Sequence, residues 1–232
     1  MISQHEVEIP VGTHRLEGVL SIPEHPLGLV IFAHGSGSSR FSPRNLHVAR
    51  ILNDYRIATL LFDLLTPEEE EADARSRKFR FNVALLAHRL VLATNWAKRQ
   101  PLCTNLKIGY FGASTGAAAA IVAAVEMPES VHAVVSRGGR TDLAGLGALH
   151  ELRAPTLLLV GSEDHDIVRI NRRSSRDMRG PHKVQIIDGA THLFEERNTM
   201  EEVANAAADW FLNSFPVSRT GGPIPATVGR KS

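Results

Sequence analysis

The sequence predicts a single α/β domain: a mostly parallel sheet with helices on both faces. Three observations lead there. Short apolar runs alternate with amphipathic or alanine-rich segments along nearly the whole chain, as in repeated βα units. The runs at 29–33, 57–62, 108–111, 131–136 and 155–161 are almost continuously apolar, the mark of strands buried on both faces. The run at 108–111 passes through Gly112-Ala113-Ser114-Thr115-Gly116 into an alanine-rich stretch, which reads as strand, tight turn and helix.

Taken in order, residues 4–10 and 15–22 form two strands, joined through the Pro10–His14 turn as an antiparallel hairpin. A proline-punctuated loop at 21–26 leads to the buried strand 29–33, which ends in the glycine- and serine-rich loop His34–Ser39. Pro43 suits the first turn of a helix running to about Asp54, and 57–63 is the next buried strand. Residues 66–80 carry an acidic run followed by a basic one. They read as a solvated loop with internal charge pairing, and alternatively as a flap presenting Phe79, Arg80 or Phe81 to a substrate. A long amphipathic helix spans 82–98, with Val83, Leu86, Leu90 and Ala97 at helical spacing. The strand–turn–helix follows and closes at Met127-Pro128. Next come a strand at 131–136, a loop at 137–140, a short helix from Asp142 to about Glu151, and a strand at 155–161. An acidic loop at 162–166, a helix to about Met178, a last strand at 183–187 and a helix at 198–215 complete the domain. The domain is assigned to 1–217. Residues 218–232, with three glycines, two prolines and three basic residues, read as a flexible tail.

Composition narrows the function. The chain has 232 residues, 43% hydrophobic and 22% charged, enough for a core without staples. Lys and Arg total 26 against 25 Asp and Glu, a net charge of +1 that lacks the electrostatic footprint of a nucleic-acid binder. Apolar runs fall short of a membrane span, and the first residues lack the basic and apolar regions of a secretion signal. With one cysteine, Cys103, there is no intrachain disulfide, which suits a reducing compartment; the expected location is the cytoplasm. Cys103 itself reads as a packed, inert residue. The 11 histidines are scattered without ligand spacing, so no metal and no cofactor is expected. Nothing here indicates an oligomeric state.

Gly112 and Gly116 bracket Ser114 as G-x-S-x-G, the nucleophile elbow. Small residues two positions either side are needed because strand and helix crowd together there. The Thr115 amide lies at a helix N-terminus, where free N–H groups favour negative charge. In such sheets active sites form at the carboxyl ends of strands. Ser114 follows the strand at 108–111, Asp164 that at 155–161, and His192 the last one. A serine hydroxyl needs a base, an imidazole can take and return its proton, and a carboxylate fixes the imidazole tautomer. The assignment is Ser114 as nucleophile, His192 as base and Asp164 as acid, with Asp166 the competing carboxylate. The amides of Ser36 and Thr115 are assigned as oxyanion donors. His34 and Arg80 are candidates for the substrate pocket, His34 also for support of the 34–39 loop.

These residues resemble a known family. His34-Gly35-Ser36-Gly37-Ser38, Gly112-Ala113-Ser114-Thr115-Gly116, Gly161-Ser162-Glu163-Asp164 and Gly189-Ala190-Thr191-His192 are similar to the oxyanion, nucleophile, acid and base motifs of the α/β-hydrolase superfamily, most of all its dienelactone hydrolase-like branch. The resemblance covers residues 5–215. It implies an eight-stranded sheet with the second strand antiparallel and a Ser114–His192–Asp164 triad. Dienelactone hydrolases proper carry cysteine where this chain has Ser114, which directs the reading to a broader carboxylesterase activity on a small-molecule ester, lactone or thioester. About twenty residues separate the strands at 131–136 and 155–161, too few for a large lid, so an open pocket for small substrates is expected. Acyl transfer or perhydrolysis on the same triad, and a non-catalytic binding protein of this fold, are the rival readings.

Overall fold

The computed structural model describes residues 1–215; the expected tail at 218–232 lies outside the described residues. Eight strands form one sheet: β1 (Ile2–Val11), β2 (His14–Pro23), β3 (Gly28–Ala33), β4 (Ile57–Phe62), β5 (Ile108–Ala113), β6 (Val131–Arg137), β7 (Thr156–Gly161) and β8 (His182–Ile187). Their spatial order is β1-β2-β4-β3-β5-β6-β7-β8. The β1–β2 hairpin is antiparallel, β2 runs antiparallel to β4, and all further pairs are parallel. This is the α/β-hydrolase arrangement, with β2 as the reversed strand.

Among the described residues seven helices flank the sheet: α1 (Pro43–Asp54), α2 (Pro67–Ser76), α3 (Val83–Ala97), α4 (Thr115–Glu126), α5 (Gly145–Glu151), α6 (His165–Asp177) and α7 (Thr199–Ser214), with a 3-10 turn at Thr141–Ala144. The central strands divide their side chains between two cores. On β3, Leu29, Ile31 and Ala33 face α3, α4 and α5, whereas Val30 and Phe32 face α1 and α7. Both faces are dry, which is why these strands read as continuous apolar runs. The helices begin on local signals. Ser42 accepts from the Asn45 amide with Pro43 opening α1, and Asn82 accepts from the Leu85 amide at the start of α3.

The segment at 66–80 departs from expectation. It is not a solvated loop: residues 67–76 are the helix α2, closed by a reciprocal capping box between Thr66 and Glu69. Glu69 also takes an ion pair from buried Arg89 of α3 at 2.6 Å. Asp73 is buried and accepts from the amides of Phe79 at 2.7 Å and Arg80 at 3.1 Å, and from the Arg80 guanidinium. Burial pushes the Asp73 carboxyl up, but the Arg80 guanidinium and these amides outweigh it and hold the carboxyl below its usual range. The segment is therefore docked from both ends. Among the described residues no helix is long and apolar enough to cross a membrane.

Candidate active site

β5 delivers Ser114 to the carboxyl edge of the sheet in a strained backbone, φ 51° and ψ −119°. For a residue with a Cβ this costs on the order of 1–3 kcal/mol and persists only where neighbours over-determine it. They do. The Ser114 amide donates to the Arg137 carbonyl at 3.1 Å, and the Ser114 carbonyl accepts from the amides of Arg140 at 3.0 Å and Ala117 at 3.1 Å. The flanking glycines are sterically required. A Cβ on Gly112 would lie 2.5 Å from Ala117 Cα, and one on Gly116 would lie 2.2 Å from the Ala33 carbonyl oxygen of β3. The crowding at Gly116 thus comes from the neighbouring strand β3, on which the 34–38 loop begins.

His192 and Asp164 meet. His192 Nδ1 is 2.5 Å from Asp164 Oδ2, with Asp164 largely buried and His192 partly open. Asp164 occupies the N-cap position of α6 but makes no capping hydrogen bond, because its carboxylate is turned to His192. Asp166 sits two residues on, exposed and paired with Arg169. The acid and base loops are laced together: Glu163 N–H donates to the Ala190 carbonyl at 3.0 Å, and Gly189 N–H to Ser162 Oγ at 2.8 Å. Gly138, at φ 54°, passes beneath the His192 ring.

Ser114 and His192 line one cavity of about 190 Å³, together with Gly35, Ser36, Ser38, Ser42, Arg44, Asn45, Ala113, Arg137 and Leu193. Among the described residues no hydrogen bond joins Ser114 Oγ to His192. The Ser36 amide, expected to serve the oxyanion directly, is instead engaged by the Thr115 side chain, donating to Oγ1 at 3.0 Å, while the Thr115 amide stands at the N-terminus of α4.

His34 and Arg80 do not line the cavity that holds Ser114 and His192; they line a small neighbouring cavity that shares Gly35, Ser36 and Ser38 with it. The Leu64 amide donates to His34 Nε2 at 3.1 Å, so Nδ1 carries the proton and donates to the Gly35 carbonyl at 3.0 Å. Burial holds the His34 pKa below the ordinary imidazole value, only partly opposed by the Gly35 carbonyl and the carboxylates of Asp63 and Glu70. His34 is thus a neutral tie between the 34–38 loop and the end of β4. Arg80 is held under Gly37 by its ion pair with Asp73. Cys103 is buried away from this edge, where desolvation pushes its thiol up to about 11.

Sequence reasoning missed Arg137, placing it in a loop where it is in fact the last residue of β6. It is 7% exposed, its Nε has no hydrogen-bond partner, and its guanidinium lies over the Phe194 ring at 5.9 Å. Burial, and the nearby Arg44, push its pKa down to about 10, so it stays charged at neutral pH. A readable sign was present: an arginine directly ending a buried apolar run. Among the described residues no cluster of three or more acidic, His or Cys side chains is arranged to hold a metal ion.

A model of the dienelactone hydrolase family matches residues 18–216. The crystal structure of a dienelactone hydrolase from Anabaena variabilis is 50% identical, superposes with a TM-score of 0.90, and covers 93% of this chain and 99% of its own. Est1E from Butyrivibrio proteoclasticus, 15% identical with a TM-score of 0.76 over 90% of this chain and 98% of its own, shares the fold. Two curated Mycobacterium tuberculosis proteins with the provisional name phosphoribosyl transferase are 50% identical over 212 residues, 91% of this chain. The chain spans about half, 47%, of the length of those two relatives.

Proposed function

The chain belongs to the dienelactone hydrolase family, a hydrolase family of α/β-hydrolase fold, and from that premise we propose that it cleaves small carboxylic esters, lactones or thioesters through an acyl-enzyme on Ser114. The observation that carries this reading is the 2.5 Å contact of His192 Nδ1 with Asp164 beside the same cavity that Ser114 enters from a strained elbow.

In this mechanism the Asp164 carboxylate accepts a hydrogen bond from His192 Nδ1–H, which keeps the proton on Nδ1 and leaves Nε2 as the basic nitrogen. His192 takes the Ser114 hydroxyl proton as Oγ attacks the carbonyl carbon, then returns it to the leaving group. The Thr115 amide, at the N-terminus of α4, stabilises the oxyanion. The Ser36 amide acts with it through the Thr115 hydroxyl. Water activated by His192 then releases the acid. The modest volume of the cavity supports small substrates over long-chain lipids.

The name of the M. tuberculosis relatives belongs to polypeptides about twice as long as the stretch they share with this chain. Acyl transfer to an acceptor other than water uses the same groups, and product partition in added alcohol or peroxide distinguishes it.

The test is labelling with a fluorophosphonate probe, read by intact mass, beside Ser114→Ala. A single adduct that disappears in the variant is expected. An unlabelled protein, or an adduct that persists in the variant, overturns the reading.

A further inference from the structure

Arg137 is a buried charge without a counter-charge. Among the described residues no carboxylate lies within ion-pair distance of it, and its Nε–H, wholly buried, meets no acceptor. The neighbouring charge that acts on it is another cation, Arg44. Proteins seldom keep such a group, because a desolvated guanidinium is stabilised only by a paired anion or a full set of acceptors.

The surroundings add positive potential. Arg44 lies at the rim of the same cavity. Its Nε is also buried without a partner, while its Nη1 reaches Glu195 at 3.2 Å. The cavity wall includes Ser42 and Asn45 at the N-terminus of the 12-residue helix α1, whose dipole favours an anion there. The face of Phe194 lies 5.9 Å from the Arg137 guanidinium. The backbone of Arg137 at the same time holds the Ser114 amide. The charge and the elbow are therefore anchored to one residue, within one cavity of about 190 Å³. Neither arginine belongs to the motifs that carry the family resemblance.

We propose that Arg137, with Arg44 at the rim, forms a subsite for a phosphate monoester carried by the substrate, close to the carbonyl that Ser114 attacks. Two separate guanidiniums on the wall of one cavity suit a three-oxygen dianion better than one planar carboxylate. The inference rests on Ser114 as nucleophile for the position of the ester, but not for the existence of the anion site. The substrate class is then a small phosphorylated ester, lactone or thioester.

The experiment titrates inorganic phosphate, and separately succinate, into the full chain carrying Ser114→Ala, by isothermal calorimetry. Phosphate is expected to bind, succinate to bind at least about tenfold more weakly, and added Arg137→Gln to weaken phosphate by at least about tenfold. Arg137→Lys should retain part of the binding. If Arg137→Gln does not fold by circular dichroism, Arg44→Gln is read in the same way. Absent phosphate binding, binding indifferent to these substitutions, or tighter binding of succinate overturns the phosphate subsite. The outcome is separable from that of fluorophosphonate labelling. Labelling without phosphate binding removes the subsite alone, and phosphate binding without labelling removes the serine hydrolase alone.

Discussion

The amide of Ser36 donates to the hydroxyl of Thr115 at 3.0 Å, joining the loop after β3 to the first residue of α4. The bond fixes the loop that carries Ser36, and because Thr115 Oγ1 is the acceptor, the proposed mechanism gives its own proton to the oxyanion. Thr115→Val removes both. Loss of one oxyanion donor costs roughly two to three powers of ten in kcat. In the proposed mechanism the hydroxyl assists the Thr115 amide, so a fall of about tenfold to a hundredfold is expected, with Thr115→Ser retaining most of the rate. Steady-state kinetics on a short nitrophenyl ester checks it; a Thr115→Val enzyme as fast as wild type sinks the role.

Asp164 and Asp166 lie two residues apart and have opposite environments. Asp164 is turned away from capping α6 and onto His192, whereas Asp166 is exposed against Arg169. Asp164→Asn should keep the fold and present the wrong imidazole tautomer, lowering kcat by roughly three to four orders of magnitude. Asp166→Asn should change kcat less than about twofold and stability by at most about 0.5 kcal/mol, as exposed pairs do. Reversed effects would falsify the assignment of the acid.

These two carboxylates also mark how far sequence reasoning reaches. The sheet was legible because strands buried on both faces leave continuous apolar runs, and the elbow because Gly112, Ser114 and Gly116 are local. Choosing Asp164 over Asp166 rests on the direction of one side chain, which spacing alone leaves open. The helix α2 was hidden beneath its charge run, although Thr66, Pro67 and Glu69 spell a capping box. What turns that acidic stretch into docked structure is Arg89, twenty residues on, and the burial of Asp73. The bond between Ser36 and Thr115 spans 79 residues. Contacts of this kind arise from the fold and leave no local trace.

His34 predicts a pH dependence of stability. In the folded chain it accepts from the Leu64 amide, so it must be neutral, and burial holds its pKa below the value of about 6.5 that it has when unfolded. The unfolded chain then binds more protons between those two values, and stability rises with pH across that window. His34's contribution is complete above about pH 6.5 and declines as the pH falls toward the depressed folded value. Urea unfolding of the wild type between about pH 7.5 and 5.5 should show this loss. His34→Gln should be less stable at the upper pH and should have a flatter profile. An equally steep profile in the variant assigns the dependence to other groups.

Two glycines near Ser114 separate strain from collision. Gly138 has a left-handed φ of 54°, and a Cβ there would come no nearer than 3.4 Å to the His192 ring, an ordinary contact. Gly138→Ala therefore meets mainly the backbone penalty of about 1–2 kcal/mol, equivalent to a fall in Tm of about 2–8 °C in a chain of this size. Gly116 is the opposite case. Its backbone is helical, yet a Cβ would be 2.2 Å from Ala33 O and 2.6 Å from His34 O. No side chain can move aside to relieve a contact with a strand backbone, so α4 must shift away from β3. That shift pulls Thr115 away from the 34–38 loop, to which the Ser36 amide ties its hydroxyl. Gly116→Ala is expected to lose fluorophosphonate labelling along with stability, while Gly138→Ala keeps labelling within severalfold of wild type. If Gly116→Ala labels at the wild-type rate, the close packing of β3 against α4 is not what holds the oxyanion donors in register.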